Sequence, residues 1–262
     1  MAEITFGAST DIGNVREHNE DSFLAEPSLG LWLVADGMGG HACGEVASDI
    51  ASRTIGEAVS DGNDLTDAIQ KSHEAILDAV ENGIGKKGMG TTVIALQIQN
   101  TEYQVAWVGD SRAYLWDGVE LKQISKDQSL VQMLVDTGKI TEEEAMFHPQ
   151  KNIIYQNLGA GDIGELNIGL SKGRLKRGQK ILLCSDGLSD EITRDEIKEV
   201  VAAGGSDQQV ADNLVKRVLE TEAHDNITVI LVTAPNDAPD EDDEDGIKES
   251  ERPTQEMPRV DK

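Results

Sequence analysis

Acidic residues stand repeatedly at the ends of apolar runs in this sequence, often beside a glycine. Leu33–Asp36, Val108–Asp110 and Leu183–Asp186 each close an apolar run with an aspartate, Asp225 opens the last run, and Glu20-Asp21 precedes an early one. A single Asp-Gly is typical of a turn. Together, however, strands that deliver carboxylates to one rim crowd anions that are costly to remove from water, and a hard dication offsets this cost. Oxygen-only ligands select Mg²⁺, Mn²⁺ or Ca²⁺ over zinc.

The hydrophobic periodicity predicts the elements that position these residues. Alternating or β-branched runs predict strands at Ile4–Ser9, Leu31–Ala35, Thr92–Gln99, Tyr103–Val108, Ala113–Trp116, Lys180–Cys184 and Asn226–Val232. A 3.6-residue period predicts helices at Gly44–Val59, Leu65–Val80, Arg194–Ala202 and Asp207–Leu219. Many strands with few helices between them favour antiparallel sheets. We therefore expect an α+β fold, in which helices flank a two-sheet antiparallel β-sandwich in the order α-β-β-α.

The hydrophobic pattern changes along the chain and indicates a domain, a flap within that domain, and a C-terminal tail. Residues 1–234 are expected to form the domain. Within it, residues 126–170 have weak periodicity and are predicted to form a flap with two short helices, Ser129–Thr137 and Thr141–Met146, the second opened by a Thr-x-x-Glu capping box. Residues 235–262 are nearly devoid of apolar side chains and include the unbroken acidic run Asp240–Asp245, so we expect a disordered acidic tail.

The composition limits the partners and the location. The formal net charge of −26 repels nucleic acid and anionic membranes, and neither is an expected partner. We see no signal peptide and no run of about 20 apolar residues, so we expect a cytoplasmic protein, and a monomer. The cysteines, Cys43 and Cys184, form no zinc-like cluster and are expected to be buried small hydrophobes.

Some polar residues are expected to have no chemical role. His73 falls on a polar helix face and is predicted to be solvated, and the basic segment Lys172–Lys180 is predicted to be a solvated loop. A role of that segment in docking acidic phosphoproteins is the weaker alternative.

Six short motifs in order resemble those of a known family. They are Arg16–Asp21, Val34–His41, Gly90–Thr92, Gly109–Ala113, Ser185–Gly187 and Asp225–Thr228. This set resembles the PPM family, the type 2C metal-dependent protein phosphatases, and its bacterial branch in particular. The resemblance covers about Ile4 to Thr233, and His148-Pro149 and Tyr155–Gly159 are similar to the flap region of the family.

The resemblance implies a binuclear Mn²⁺ or Mg²⁺ centre with a third, weaker ion. It assigns Asp36 as the bridge, Asp186 and Asp225 to the first ion, Glu20 and the Gly37 carbonyl to the second, and Asp110 to the third. Asp21 would support the site from close by, and Arg16 would bind the substrate phosphate.

The implied activity is hydrolysis of phosphoserine and phosphothreonine in proteins. Two cations about 3.5–4 Å apart share a water and lower its pKa, so that a metal-bridging water or hydroxide attacks phosphorus. The planar fork of Arg16 suits two phosphate oxygens. The expected substrates are phosphorylated proteins, as targets of a eukaryotic-like Ser/Thr kinase.

The source of the proton for the leaving group stays open. Many eukaryotic relatives have His directly after Asp-Gly, where this chain has Met38. His41 is one candidate, and a water on the ion at Asp110 is the other. The Asp-His-Ser of the family near the flap is Asp127-Gln128-Ser129 here.

Two other functions compete with a general phosphatase. A catalytically dead family member would act as a binding module, but it is expected to lack some ligands, and this chain has the full set. A phosphatase of anti-sigma-factor-like targets would be expected to carry a sensory domain, for which this length leaves no room.

Overall fold

The computed structural model describes residues 4–39, 43–161, 166–235 and 238. Its strands are β1 (Thr5–Asp11), β2 (Asp21–Glu26), β3 (Leu31–Met38), β4 (Gly90–Thr91), β5 (Val93–Gln99), β6 (Glu102–Val108), β7 (Arg112–Trp116), β8 (Leu121–Gln123), β9 (Gly169–Arg174), β10 (Lys180–Cys184) and β11 (Ile227–Thr233). Its α-helices are α1 (Cys43–Ser60), α2 (Leu65–Glu81), α3 (Leu130–Asp136), α4 (Glu142–Met146), α5 (Asp186–Ser189), α6 (Arg194–Ala203) and α7 (Asp207–Leu219).

The strands form two antiparallel sheets. The β1 sheet has the order β1-β11-β10-β7-β8, and the β3 sheet has the order β2-β3-β5-β6-β9, with β4 paired to β3. Helices α1 and α2 pack on the outer face of the β3 sheet, while α6 and α7 cover the β1 sheet. The predicted α+β sandwich, α-β-β-α, is confirmed.

Strand β3 shows why its sequence is apolar without alternation. Leu31, Leu33 and Ala35 belong to the apolar cluster under α1 and α2, whereas Trp32 and Val34 belong to the cluster between the sheets. Both faces of the strand are covered, and these five side chains are fully buried. A strand buried on two sides has no solvent face on which polar residues would recur.

The structure adds four strands that the periodicity did not predict, namely β2, β4, β8 and β9. In β9 the sequence Gly-Leu-Ser-Lys-Gly-Arg has low strand propensity. Its glycines are required by packing, because a Cβ on Gly169 would lie 2.2 Å from the Trp107 ring and one on Gly173 would lie 2.6 Å from the Tyr103 hydroxyl oxygen. The prediction that Lys172–Lys180 is a solvated loop is therefore wrong for its first residues, which belong to β9.

The predicted helices are present, and side-chain caps fix where several begin. In α4, Thr141 and Glu144 form the predicted capping box, and Ser129 caps α3. Ser206 and Gln209 form a similar box at the start of α7. These caps satisfy backbone N–H groups that the first helical turn leaves without partners.

The predicted flap, described at residues 126–161 and 166–170, contains α3 and α4 among turns and isolated bridges.

At the predicted C-terminal boundary of the domain, Pro235 and Ala238 are buried, and Ala238 packs in the cluster between the sheets. The remaining residues of the predicted tail lie outside the described ranges, so the division at residue 234 stays a prediction. Within the described ranges, no helix combines the length and hydropathy needed to span a bilayer.

Candidate metal centre

The predicted acidic residues lie at one end of the sandwich, which we call the acidic end. Antiparallel pairing places the ends of β3, β6 and β10 beside the starts of β2 and β11. Asp36 in β3 is directly opposite Asp21 in β2. Asp110 and Asp186 follow β6 and β10 by two residues, and Asp225 precedes β11 by two. Residues nearly 200 positions apart in sequence therefore share one rim.

Asp36 and Asp186 are the carboxylates at the centre of this rim. Burial raises the pKa of Asp36 well above its usual range, and the negative charges of Asp186, Asp21, Asp110 and Asp225 raise it further. Burial likewise raises the pKa of Asp186, together with the charges of neighbouring aspartates. Asp186 Oδ1 is buried and has no hydrogen-bond partner within the described part of the chain. Such an oxygen is costly to bury unless a ligand or ion contacts it.

Asp21 is held behind Asp36 by hydroxyl groups. Ser185 Oγ donates to Asp21 Oδ2 at 2.8 Å, while Asp21 Oδ1 is a second buried oxygen without a partner in the described residues. Burial raises the pKa of Asp21 to about 6, although hydrogen bonds from Thr228 and Ser185 oppose the shift. Asp21 therefore adds negative charge to the cluster and contacts the residue directly before Asp186.

Asp110 is carried on a turn that Gln128 fixes. Gly109 has a φ of 104° and donates its N–H to Gln128 Oε1 at 2.9 Å, while the Gln128 N–H donates to the Gly109 carbonyl at 2.9 Å. Gln128 thus makes two hydrogen bonds to the turn, a role that the sequence did not reveal. Burial raises the pKa of Asp110 to about 7, with the charge of Asp127 adding to the shift.

Arg112 and Asp127 form an ion pair beside this turn. Arg112 Nε and Nη2 both donate to Asp127, with the Nη2–Oδ2 distance at 2.7 Å. The charge of Arg112 lowers the pKa of Asp110, against the larger effects of burial and Asp127. The Arg112 charge is thus largely taken up by Asp127 and does not fully offset the negative charge at Asp110.

Glu20 and Gly37 meet where α1 begins. The Gly37 N–H donates to the Glu20 carbonyl at 3.2 Å, and the Gly44 N–H donates to Glu20 Oε1 at 3.2 Å. A Cβ on Gly37 would lie 2.3 Å from the Gly44 carbonyl oxygen, so this crossing admits only glycine. The predicted pair of ligands is therefore brought together by backbone contact with the first turn of α1.

Arg16 enters the rim from an exposed loop that Asn226 pins down. Asn226 Nδ2 donates to the carbonyls of Ile12 and His18 at 2.9 Å each, and its Oδ1 accepts the Glu20 N–H at 2.8 Å. Arg16 Nη2 donates to Asp225 Oδ2 at 2.6 Å. Two predicted site residues, one assigned to phosphate and one to metal, are thus in contact with each other.

A cavity of about 470 Å³ opens beside these residues. Asp186, Asp190 and Asp225 line one side, and Lys151 and Asn152 of the predicted flap line the other. Lys151 Nζ lies 2.8 Å from Asp190 Oδ2 and ties the flap to α5. Sequence analysis missed Asp190, although it follows Asp186 by four residues, which is one helical turn.

Two residues bear on the source of the proton for the leaving group, namely the candidate donor His41 and Met38, which stands where many eukaryotic relatives have His. His41 lies outside the described residues. Met38 is partly buried and its sulfur lies 3.5 Å from Asn157 Nδ2, so it contacts the end of the flap.

The cluster fits divalent cations by its chemistry. In the described ranges, no group of three or more His, Cys, Asp or Glu side chains is already arranged to hold a metal ion. Asp225 and Glu20 are turned to protein partners, Arg16 and Gly44. The fit rests on the donor set, which offers oxygen only, on the mutual repulsion of the half-buried carboxylates, and on the oxygens of Asp21 and Asp186 that have no partner among the described residues.

Comparison with known proteins gives consistent matches over most of the chain. A family model described as Protein phosphatase 2C matches residues 14–228. The serine/threonine phosphatase stp of Listeria monocytogenes is 35% identical over 236 residues, covering 85% of this chain and 93% of that protein. The serine/threonine protein phosphatase PstP of Mycobacterium tuberculosis is 37% identical over 241 residues, covering 88% of this chain but 46% of that longer protein.

Solved structures are similar over the same region. The crystal structure of the M. tuberculosis phosphatase PstP/Ppp superposes with a TM-score of 0.82 at 38% identity and covers 88% of this chain and 99% of that chain. The catalytic domain of PstP in complex with two manganese ions superposes with a TM-score of 0.78 at 36% identity, over 89% of this chain and 99% of that chain.

Proposed function

The chain belongs to the protein phosphatase 2C family of metal-dependent serine/threonine phosphatases, and we propose that the acidic end of the sandwich is its catalytic centre. The observation that carries this proposal is the set of half-buried, mutually repelling carboxylates around Asp36 and Asp186. Burial and repulsion oppose the charged form of both groups, and an oxygen of Asp186 has no partner in the described residues. Carboxylates whose charged form is disfavoured in this way are concentrated at functional sites, where they bind a ligand or take part in a reaction.

We propose that two Mn²⁺ or Mg²⁺ ions bind here, as two manganese ions do in PstP. Asp36 would bridge them, Asp186 and Asp225 would complete the first, Glu20 and the Gly37 carbonyl would complete the second, and Asp110 would hold a third, weaker ion. When bound, the ions supply a water of lowered pKa as nucleophile and positive charge for the phosphoryl oxygens.

Arg16 is proposed to bind the substrate phosphate. Its guanidinium is half-exposed and lies among the charges of Asp225, Glu20 and Asp36. Once a cation neutralises these carboxylates, the planar fork of N–H groups can donate to two oxygens of a phosphate in place of Asp225. Asn226 holds the loop that carries Arg16, so the guanidinium is positioned by the same residue that positions Glu20.

The substrates are proposed to be phosphoserine and phosphothreonine in proteins, as the names of the relatives indicate. The supply of these substrates by a eukaryotic-like kinase stays a prediction. So does the choice between His41 and a water near Asp110 as the proton source for the leaving alkoxide.

Metal dependence is the direct test. The purified protein should dephosphorylate a phosphothreonine peptide with Mn²⁺ or Mg²⁺, stop with EDTA, and show a melting temperature that rises with either ion. Asp36→Asn should lose both the activity and most of the metal-induced rise. Asp78→Asn, the same chemical change at an exposed position of α2, should keep both.

The outcomes separate the alternatives. A melting temperature that responds to the ions without any hydrolysis would favour the binding module. Full activity in EDTA would end the proposal.

A further inference from the structure

Four positive side chains gather at the end of the sandwich opposite the acidic end. Lys172 and Arg174 are exposed on β9, and Lys176 and Arg177 follow on the turn into β10. We call these four residues the basic strip. In a chain of net charge −26, these four cations form a local group of positive charges, with Asp64 and Glu102 beside it.

The strip borders a polar groove. A depression of about 730 Å³ lies between the α1–α2 turn and β9 and is lined by Asn63, Asp64, Gln104, Lys172 and Arg174, among others. Arg174 Nε donates to Thr101 Oγ1 at 3.1 Å, which holds this guanidinium at the start of β6. In the described sheet β9 is the edge strand, so the surface beside it is not covered by another strand.

The chain leaves the sandwich beside the basic strip. The Ala234 N–H donates to the Gln179 carbonyl at 2.9 Å, on the turn that carries Lys176 and Arg177. Ala238 is 1% exposed and packs in the same apolar cluster as Leu175. The acidic run Asp240–Asp245 starts two residues after Ala238. Two residues span at most about 7 Å, so the run starts within that distance of Ala238.

We propose that the acidic run Asp240–Asp245 docks on the basic strip of its own chain. Six consecutive carboxylates face four cations. The tether gives the run an effective concentration of the order of millimolar, which a free acidic partner does not reach at ordinary concentrations. The strip is then covered by the chain itself, and an acidic protein gains access only by displacing the run.

A second pair of cations provides an internal control. Lys86 and Lys87 are both exposed and precede β4, which pairs with Gly37 and Met38 at the acidic end. The run ends seven residues beyond Ala238, so its last carboxylate lies at most about 25 Å from that residue. Docking at the strip predicts contacts with Lys172 and Lys176, whereas a run that extends away from the strip toward the acidic end would approach Lys86 and Lys87.

The test is zero-length carbodiimide cross-linking of the full chain, mapped by mass spectrometry. An amide forms only where a lysine amine and a carboxylate are in contact. We expect links from Lys172 or Lys176 to the run, independent of protein concentration and reduced about five-fold or more when salt is raised to about 1 M, where the Debye length falls to about 3 Å.

Two variants sharpen the test. Arg174→Gln with Arg177→Gln removes half of the cations but leaves both reactive lysines, so the yield of the links should fall several-fold. Arg53→Gln, at an exposed position of α1, should leave the yield unchanged. Equal links to Lys86 and Lys87, links only between molecules, or a yield that ignores the double substitution would each overturn the proposal.

Discussion

Asp207, which is buried, and Asp186, which is half-buried, lie at opposite ends of the sandwich and have opposite electrostatic surroundings. Asp207 opens α7 and accepts hydrogen bonds from Thr5 Oγ1 and Thr233 Oγ1 at 2.6 Å each and from Lys180 Nζ at 2.7 Å. Burial alone would raise the pKa of Asp207, but these three partners outweigh it and the pKa is lowered. Asp186, at the acidic end, has a raised pKa and an oxygen without a partner in the described residues.

The contrast shows how a structural carboxylate differs from a candidate ligand. Both groups lose water, and both therefore need compensation. The fold supplies that compensation internally at Asp207, with one cation and two hydroxyls. At Asp186 it instead adds the like charges of Asp110, Asp190 and Asp225, so that compensation must come from outside the chain.

Removing the charge of Asp186 should have the largest effect. Asp186→Asn is expected to lower kcat/KM at least about 1,000-fold, or about 4 kcal/mol, because a proposed ligand of the first ion is lost. In EDTA the same variant should unfold at a higher temperature than the parent chain, because one of several repelling buried charges is gone. Calorimetry in EDTA and steady-state kinetics with Mn²⁺ measure the two effects. A variant that is less stable in EDTA would show that Asp186 is compensated within the fold.

The opposite result is expected for Asp207. Asp207→Ala should lower the free energy of unfolding by about 2–4 kcal/mol, since it leaves the largely buried Lys180 ammonium and the hydroxyls of Thr5 and Thr233 without their acceptor. Turnover by the folded fraction should not change. The control is Asp195→Ala, which removes an exposed acidic residue from the first turn of α6. Equal urea midpoints for the two variants would show that Asp207 does not stabilise the fold, in contradiction to the proposed difference between Asp207 and Asp186.

The sequence predicted the acidic end better than its surroundings because strand periodicity and Asp-Gly turns are local signals. Apolar runs locate the strand ends, and antiparallel pairing then places Asp36, Asp110 and Asp186 together. The contacts of Gln128 with Gly109 and of Lys151 with Asp190 join residues that no local pattern links. They depend on how the flap folds back on the sandwich.

His73 is a second residue whose environment depends on a contact that no local sequence pattern predicts. Its place on a polar helix face predicted a solvated side chain, and this prediction is wrong: His73 is 8% exposed. Its Nδ1 accepts the N–H of Gly159 at 3.1 Å, at the end of the flap. The polar face of α2 is therefore covered by a segment more than 80 residues later in the chain, which helical periodicity does not report.

Arg16 provides a smaller test of the acidic end. Arg16→Ala is expected to lower kcat/KM for a phosphopeptide by about 1.5–3 kcal/mol, the range for hydrogen bonds to a charged group. Its ion pair with Asp225 is half-exposed, so the free energy of unfolding should change by less than about 1 kcal/mol. Arg217→Ala, which breaks a similarly exposed ion pair with Glu196, should leave kinetics unchanged. Equal kinetics for the two variants would place the phosphate elsewhere.

The smallest expected effect is the pH dependence of stability that arises from His73 and His224, whose pKa values are shifted in opposite directions. Burial lowers the pKa of His73, which has no carboxylate partner among the ion pairs described. The hydrogen bond that the His224 ring donates to Glu191, aided by the charges of Glu191 and Glu222, raises the pKa of His224, which is exposed. The signs are opposite: His73 stabilises the fold fully above its unfolded pKa of about 6.5, and its contribution is lost as the pH falls below that value. The contribution of His224 is present below about 6.5 and is lost as the pH rises through its folded pKa.

Protonation of His73 at Nδ1 would remove the acceptor of the Gly159 N–H, at a cost of about 0.5–1.5 kcal/mol. Lowering the pH from about 8 to about 5.5 should therefore speed amide hydrogen exchange at Gly159, after correction for the intrinsic rate, and His73→Gln should abolish this response. His224→Gln should leave the response at Gly159 intact, since His224 contacts Glu191 and Glu222 at the other wall of the cavity. If the exchange at Gly159 is independent of pH in the parent chain, His73 does not hold this part of the flap, and the two backbone hydrogen bonds between Leu158 and Thr91, of 2.8 and 3.1 Å, protect it without titrating.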